Sequence, residues 1–502
     1  MLHSRMHTES RADVSASRQI LHYVRRRAWC EWDDFDLWPD RVRADLARAD
    51  GPVWPPFLLL AMPGIDAATQ RSCATRWLEA RLARFQAEGS PGDVATGAAV
   101  LPRPAGPLKI GYLSGDFHQH ATALLMVEML EAHRAGHVEL YAYSHGKNDG
   151  KGMRERLMAA FHRFNDIAGL SDLEAAALIR DDGVDILVDL KGYTEGSRTM
   201  LLAHRAAPVQ VSFLGYPGTS GQGFVDYLIS DRFVTPAAAA TDYSEALACM
   251  PHSYQPHGRV ADTDLALPDR AGLGLPEGAF VFACFNQAWK FTPQVFDVWC
   301  SLLNEVPGSV LWLLDDPHAR GNLRNEALAR GVLPDRLIFA PGLPQAEHLA
   351  RLPAIDLMLD TWPYNAHTTA SDALWAGVPL VTCAGSTFAS RVAGGLLLAA
   401  GLPEAITTTP EAYRALALSL ARDPSCLADL RTRFASSRRA AALFNVVAYT
   451  GALEAMYARM WARHESGLAP VAIDMADDAG YGAAAVSGEP WTLKLAWGAS
   501  GH

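Results

Sequence analysis

No apolar run in this sequence approaches the ~20 residues that a membrane-spanning helix needs. The amino-terminal stretch "MLHSRMHTESRADVSASRQ" also lacks the apolar centre of a secretory signal. Cysteines are few and scattered. Cys30, Cys73, Cys249, Cys284, Cys300, Cys383 and Cys426 lie far apart and none forms a C-x-x-C pair. That spacing argues against a zinc site and a disulfide framework, and reads as reduced core thiols. Positive charge is also short: 44 Lys and Arg stand against 55 Asp and Glu, the net charge is −11, and the one basic run is Arg25 to Arg27. Binding to a phosphate backbone needs clustered cations, so neither nucleic acid nor a membrane is expected as a partner. Acidic groups such as "LLDD" (Asp315, Asp316) and "DTD" (Asp262 to Asp264) have no His or Asp at supporting spacing, so no metal is expected. No repeat of fixed period is present. Together these absences describe a chain expected in the cytoplasm.

What is there is a long chain with an ordinary core-forming composition. At 502 residues and 49% apolar, two to four domains are expected. Residues 1–18 are polar and read as loose, and Ile20 to about Ala87 is mostly helical, with Leu78, Leu82 and Phe85 at i, i+4, i+7. "EGSPGDVATGAAVLPRPAG" (Glu88 to Gly106) reads as a linker from its Gly and Pro content. Beyond it, "LKIGYLSGD", "VELYAYSHG", "VDILVDLKGY", "VQVSFLGYPGTSG" and "VDYLISD" alternate with helical patterns. After a loop-rich stretch (Pro251 to Gly278), "AFVFACFN", "SVLWLLDD", "RLIFAPG", "IDLMLD" and "VPLVTCAG" do the same. Short β-rich runs between helices imply parallel strands with crossover helices, so two α/β units in tandem are expected. The boundaries read as 1–105 for the helical segment and linker, 106–270 and 271–433 for the two units, 434–466 for a closing helix and 467–502 for a disordered tail. Thr292-Pro293 opens a helix, with Thr as N-cap and Pro at the first helical position.

In open α/β sheets ligands bind beyond the carboxyl ends of the strands. Just after the runs stand Asp116 and His120, "GYPGTSG" (Gly215 to Gly221), "FNQAWK" with Gln287 and Lys290, "EHLAR" with His348 and Arg351, and "YNAHTTASD". Polar and cationic groups thus gather at one edge of both units, which fits a single cleft between them. Thr368-Thr369 begins a helix whose first N–H groups lack partners, and those donors together with the helix dipole favour an anion. Lys290 can add a full charge, so a diphosphate suits the place, and Asp372 can accept from a ribose hydroxyl. The plain alternative is that Thr368 only caps the helix. His120, Lys290, His348 and Arg351 also have plain readings as surface polar residues.

The motifs "IGYLSGDFHQHAT", "GYTEGSR", "LGYPGTSG", "MPHSY", "FNQAWKFTP", "VPGSVLWLL", "YNAHTTASDALWAGVPLVT" and "FASRVAGGLL" occur in order, over roughly residues 20 to 465. In these the chain resembles the catalytic region of the O-GlcNAc transferase family. The resemblance implies a GT-B fold, with two Rossmann-like domains facing a central cleft and a short, residual tetratricopeptide-like helical segment before them. It implies inverting transfer of GlcNAc from UDP-GlcNAc to Ser or Thr hydroxyls of proteins, without metal and with no cofactor besides the donor substrate. The expected partners are the UDP-sugar and an acceptor protein or peptide.

By motif position His120 matches the active-site histidine, a candidate base, with Asp116 beside it. Lys290 matches the diphosphate lysine, with Gln287 next to it, and His348 and Arg351 match the uridine contacts. His367, Thr368 and Thr369 match the diphosphate contacts, Asp372 the ribose contact, and Leu214 and Gly215 part of the sugar pocket. Two positions depart from the family pattern: Trp289 replaces a tyrosine, and Tyr364 replaces a small cysteine near the N-acetyl pocket. The animal enzymes carry a long tetratricopeptide array where this chain has a short helical segment. A related plant branch transfers fucose from a GDP sugar, and the "HTT" histidine and "FNQ" glutamine favour the O-GlcNAc branch. Other readings of the same fold are an O-fucosyl- or hexosyltransferase with another donor, a UDP-sugar 2-epimerase, or a non-catalytic nucleotide-sugar binder.

Overall fold

Continuous apolar runs have no face to turn to water, so they pair as inner strands covered on both sides. In the computed structural model, which describes residues 11–87, 106–133, 136–221, 223–258 and 268–475, they do so in two sheets. The first seven strands are β1 (Leu108–Ser114), β2 (Val138–Ser144), β3 (Arg163–Asp166), β4 (Ile186–Asp189), β5 (Val209–Ser212), β6 (Tyr227–Asp231) and β7 (Ala246–Met250). The next six are β8 (Val281–Cys284), β9 (Val310–Leu314), β10 (Leu337–Ala340), β11 (Leu357–Leu359), β12 (Leu380–Cys383) and β13 (Ile406–Thr407), and the last is β14 (Ile473–Asp474). The first sheet has the order β14-β7-β6-β5-β4-β1-β2-β3 and the second β10-β9-β8-β11-β12-β13. Every pairing is parallel. All strands of a sheet therefore end at the same edge. In each sheet the order reverses once, between β1 and β4 and between β8 and β11. Those switch points open the crevices in which such sheets bind ligands.

Both chain ends tie the domains together. The helix Val446–Glu465 returns to the first domain, where Tyr457 and Tyr112 share a hydrogen bond of 3.1 Å between hydroxyls and Tyr449 donates to the Tyr254 carbonyl at 2.5 Å. At the other end the helices Arg11–Ala28 and Ala67–Ala87 reach both domains. Trp32 packs on Phe296 of the second (centroids 5.5 Å apart), while the Thr75 hydroxyl donates to the Gly221 carbonyl of the first at 2.7 Å. Gly221 has φ 78°, and a Cβ there would stand 2.3 Å from the Thr75 nitrogen, so this contact admits only glycine.

The expected N-cap holds, since the Thr292 hydroxyl accepts from the Val295 N–H at 3.1 Å ahead of the helix Pro293–Glu305. Two expectations need correction. Residues 11–18, read as loose, belong to the helix Arg11–Ala28, whose last turn carries Arg25, Arg26 and Arg27, where cations favour the helix dipole. The tail from 467 is ordered up to Met475, because Ile473–Asp474 adds a strand to the edge of β7. The linker expected at 88–106 lies outside the described residues but for Gly106, as does the tail beyond 475. Among the described residues no helix is long and apolar enough to cross a membrane.

One buried histidine gives the fold a measurable pH dependence. His257 is 3% exposed, neither ring nitrogen has a partner among the described residues, and it packs against Trp375 and Phe444 at 5.7 and 5.0 Å. Burial pushes it down to about 4. Between that value and the ordinary histidine value of the unfolded chain, the unfolded state binds more protons, so stability falls as pH falls through this window. The buried carboxylates Asp189 and Asp231, raised by burial to about 6, act in the opposite sense. A variant isolates the histidine. Relative to wild type, His257→Phe is expected to gain up to about 3 kcal/mol between pH 7 and pH 4 in denaturant titrations. A stability difference that stays flat with pH would reject this account.

Candidate active site

The first switch point carries Asp116 and His120 after β1 and, across from them, Lys191 after β4. Asp116 and Lys191 are both buried, and the lysine Nζ lies 3.0 and 2.9 Å from the two carboxylate oxygens. His120 is the N-cap of the helix Ala121–Glu131, its Nδ1 accepting from the Thr122 N–H at 3.2 Å, with Asp116 Oδ2 3.6 Å from the same nitrogen. Burial lowers its pKa, Asp116 opposes this, and Lys191 and His118 add to the lowering. The imidazole is therefore neutral near pH 7. With Nδ1 accepting from a backbone donor, the ring proton stands on Nε2.

Beyond β5 the backbone turns sharply. Leu214 has φ 67°, and a Cβ on Gly215 would lie 1.9 Å from the Leu190 carbonyl oxygen. Only glycine lets this turn close against the end of β4.

The second switch point lies between β8 and β11. Lys290, half-buried in the short turn Ala288–Lys290 after β8, donates to the Asn365 carbonyl at 2.9 Å and lies 4.1 Å from the centre of the Tyr364 ring. Burial pulls its pKa down and Asp360, at the end of β11, holds it up. Asp360 is fully buried and accepts from the N–H groups of Thr361 and Ala366 and from the Thr382 hydroxyl. His367 stacks on Tyr364 (4.9 Å, 29°), its Nε2 is buried without a partner among the described residues, and burial and Lys290 keep it neutral.

The N-cap of the helix Thr368–Trp375 is His367, with no side-chain capping bond. Thr368 is thus the first helical residue, and the plain capping role does not apply to it. Ala370 and Ser371 donate to the His367 carbonyl, while the N–H groups of Thr368 and Thr369 have no protein partner among the described residues. Asp372 is only 8% exposed and its carboxylate makes no hydrogen bond to the described residues; burial alone pushes it up to about 7. Gln287 is exposed, its Oε1 accepting from the Trp289 indole at 2.5 Å.

After β10 stand His348 and Arg351. Arg351 is 2% exposed and donates to His348 Nδ1 from Nε and Nη2 (3.2 and 2.9 Å) and to the Pro341 carbonyl (2.7 Å). Arginine has no acceptor, so Nδ1 must accept and the histidine proton stands on Nε2. Burial, then Arg351, brings His348 down to about 4. Arg351 therefore sits behind His348 and fixes its tautomer.

The two halves face each other through an aromatic cluster. Tyr193 and Tyr216, which follow Lys191 and Gly215, pack in one buried group with Tyr364 and Ala389 of the second domain, joined by Phe57, Trp77 and Trp289. The sequence-derived candidates follow β1, β5, β8, β10 and β11, at the carboxyl ends of the two sheets. Lys191 and Asp360 were missed, although both stand at the ends of quoted runs, "VDILVDLKGY" and "IDLMLD". Among the described residues no group of three or more His, Cys, Asp or Glu side chains is placed to hold a metal ion.

Two parallel-sheet α/β domains meeting edge to edge, with the polar groups at both switch points, define a GT-B protein. Glycosyl transferase family 41 matches residues 96–258 and 255–453. The chain belongs to that family. It is 40% identical over 371 residues to the Arabidopsis thaliana protein SEC, named as a probable UDP-N-acetylglucosamine–peptide N-acetylglucosaminyltransferase, covering 72% of this chain and 38% of that one. It is 30% identical over 474 residues to the Caenorhabditis elegans UDP-N-acetylglucosamine–peptide N-acetylglucosaminyltransferase, covering 72% and 41%. The chain thus spans about two fifths of these relatives' length. Among solved structures, a lysine-to-methionine mutant of the Thermobaculum terrenum O-GlcNAc transferase superposes with a TM-score of 0.75 at 31% identity, over 91% of this chain and 83% of that one.

Proposed function

We propose that the chain is an inverting, metal-independent glycosyltransferase that moves GlcNAc from UDP-GlcNAc to Ser or Thr hydroxyls of proteins. The observation that carries this reading is the group at the second switch point: a half-buried lysine, a helix of eight residues whose first N–H groups have no partner among the described residues, and a buried carboxylate with no hydrogen bond to the described residues. That set matches a nucleoside diphosphate. Lys290, the Thr368 and Thr369 hydroxyls, their N–H groups and His367 receive the diphosphate, Asp372 accepts from the ribose, and the Nε2–H of His348 donates to the base. Gln287, Leu214 and Gly215 face the sugar. The names of the relatives support both the donor and a peptide acceptor. The seven free cysteines, six of them buried, fit a reducing compartment, and we place the enzyme in the cytoplasm.

In the transfer the acceptor oxygen attacks C1 of the sugar from the face opposite UDP, and its proton passes to water or to a phosphate oxygen of the departing UDP. The bond from C1 to the phosphate oxygen breaks, and UDP leaves with the electron pair. Lys290 and the helix start stabilise the charge that builds there, each such preorganised donor contributing about 3 kcal/mol. Two roles are open to His120, that of base and that of orienting the sugar phosphate. Its Thr122 contact makes Nε2 a donor, so we assign His120 to orienting an oxygen of the donor substrate, with Asp116 held at its side by Lys191.

Incubation with labelled UDP-GlcNAc and a cell lysate is expected to leave label on protein. Recovery of an epimerised UDP-sugar, or binding without any product, would reject the transferase reading. EDTA is expected to leave UDP affinity unchanged, because Lys290 and the helix start carry the countercharge. A loss of about tenfold or more in calorimetry, ~1.4 kcal/mol, would refute metal independence.

A further inference from the structure

Arg27, at the end of the helix Arg11–Ala28, is 5% exposed, and none of the described carboxylates pairs with it. Glu31, Asp33 and Asp34 pair with its neighbour Arg26 instead. Burying a cation without a counter-ion is costly unless its donors are used. Here they go to main-chain carbonyls: Nη1 donates to Phe291 at 3.1 Å, and Nη2 to Trp289 at 2.8 Å and to Ala61 at 3.1 Å. The carbonyls of Trp289 and Phe291 flank Lys290. Three residues beyond Arg27, the buried Cys30 stands at φ 53° and its thiol donates to the Ala288 carbonyl at 3.5 Å. The short turn that carries Lys290 is therefore gripped along its backbone by the amino-terminal helical segment, while the lysine head is fixed separately on the Asn365 carbonyl. Attachment of the segment to the second domain does not depend on these bonds alone, since Trp32 packs on Phe296 and the stacked ring of Trp29 on His318.

We infer that Arg27 is a positioning residue for Lys290, so that the amino-terminal helical segment is a working part of the donor site. This rests on Lys290 binding the diphosphate, and the test separates the two. UDP and uridine affinities are measured by calorimetry, beside thermal melts, for Arg27→Met, Arg27→Lys, Lys290→Ala and the Arg27→Met/Lys290→Ala double variant. Arg27→Met is expected to weaken UDP about fivefold or more and to leave uridine within about twofold. Arg27→Lys, which keeps the charge and some of the donors, should fall between Arg27→Met and wild type. The double variant should bind UDP no more weakly than Lys290→Ala alone, because there is no lysine left to position. A lowered melting temperature with an unchanged ratio of UDP to uridine affinity would make Arg27 structural and overturn the inference, as would losses that multiply in the double variant. Unchanged UDP affinity in Lys290→Ala overturns the lysine's assignment and the inference with it. Should Arg27→Met not fold, the Arg27→Lys/Lys290→Ala pair closes the same cycle.

Discussion

Lys290→Ala is expected to cut turnover by roughly 30- to 1000-fold while the protein stays folded, a loss of about 2–4 kcal/mol of transition-state stabilisation. The lysine is half-buried, and its head contacts one carbonyl and the Tyr364 ring. Removing it opens no core cavity. Asp360 loses a nearby cation but keeps its donors from Thr361, Ala366 and Thr382, so the turn beyond β11 retains its frame. The missing charge is then felt mainly where UDP departs. Near-normal turnover in a variant with a wild-type melting curve would remove Lys290 from the mechanism.

Replacing Thr368 and Thr369 together by valine should weaken UDP far more than uridine. Valine keeps the β-branched shape and deletes both hydroxyls. Each lost bond to a charged group costs roughly 1.5–3 kcal/mol, so the pair is expected to lose about two to four orders of magnitude in UDP affinity. Uridine has no phosphates and keeps His348 and Asp372. His367 is the N-cap and makes no side-chain capping bond, so the substitutions remove no cap and the melting temperature should hardly move. Equal losses for UDP and uridine in calorimetry would mean that the two hydroxyls do not face the diphosphate.

Much of this was legible before the fold was known, because it is local. Short β-rich apolar runs between helical stretches become the strands, and Thr292 caps its helix through its own next turn. The candidates are the residues that follow each run, and they share an edge because parallel strands end together. Where a contact exists only once the backbone has folded, the reading stopped short. Only the folded backbone shows the Nδ1 of His120 accepting from the Thr122 N–H at the start of the helix Ala121–Glu131. Nothing local in the sequence says that Arg351 is buried with its guanidinium on His348. Ile473–Asp474 is too short to declare itself a strand without the edge of β7 to pair with.

The sequence by itself determined the two α/β units and which polar residues follow each apolar run, since each depends on composition and spacing within a few residues. Only the tertiary structure decided which strand ends become neighbours. Asp116 meets Lys191 and Lys290 meets Asn365 across 75 residues of chain, and Arg27 meets Trp289 across 262. Those meetings follow from strand order and from the packing of helices on both domains, and such long-range pairings leave no local trace, because either partner would look the same beside any other neighbour.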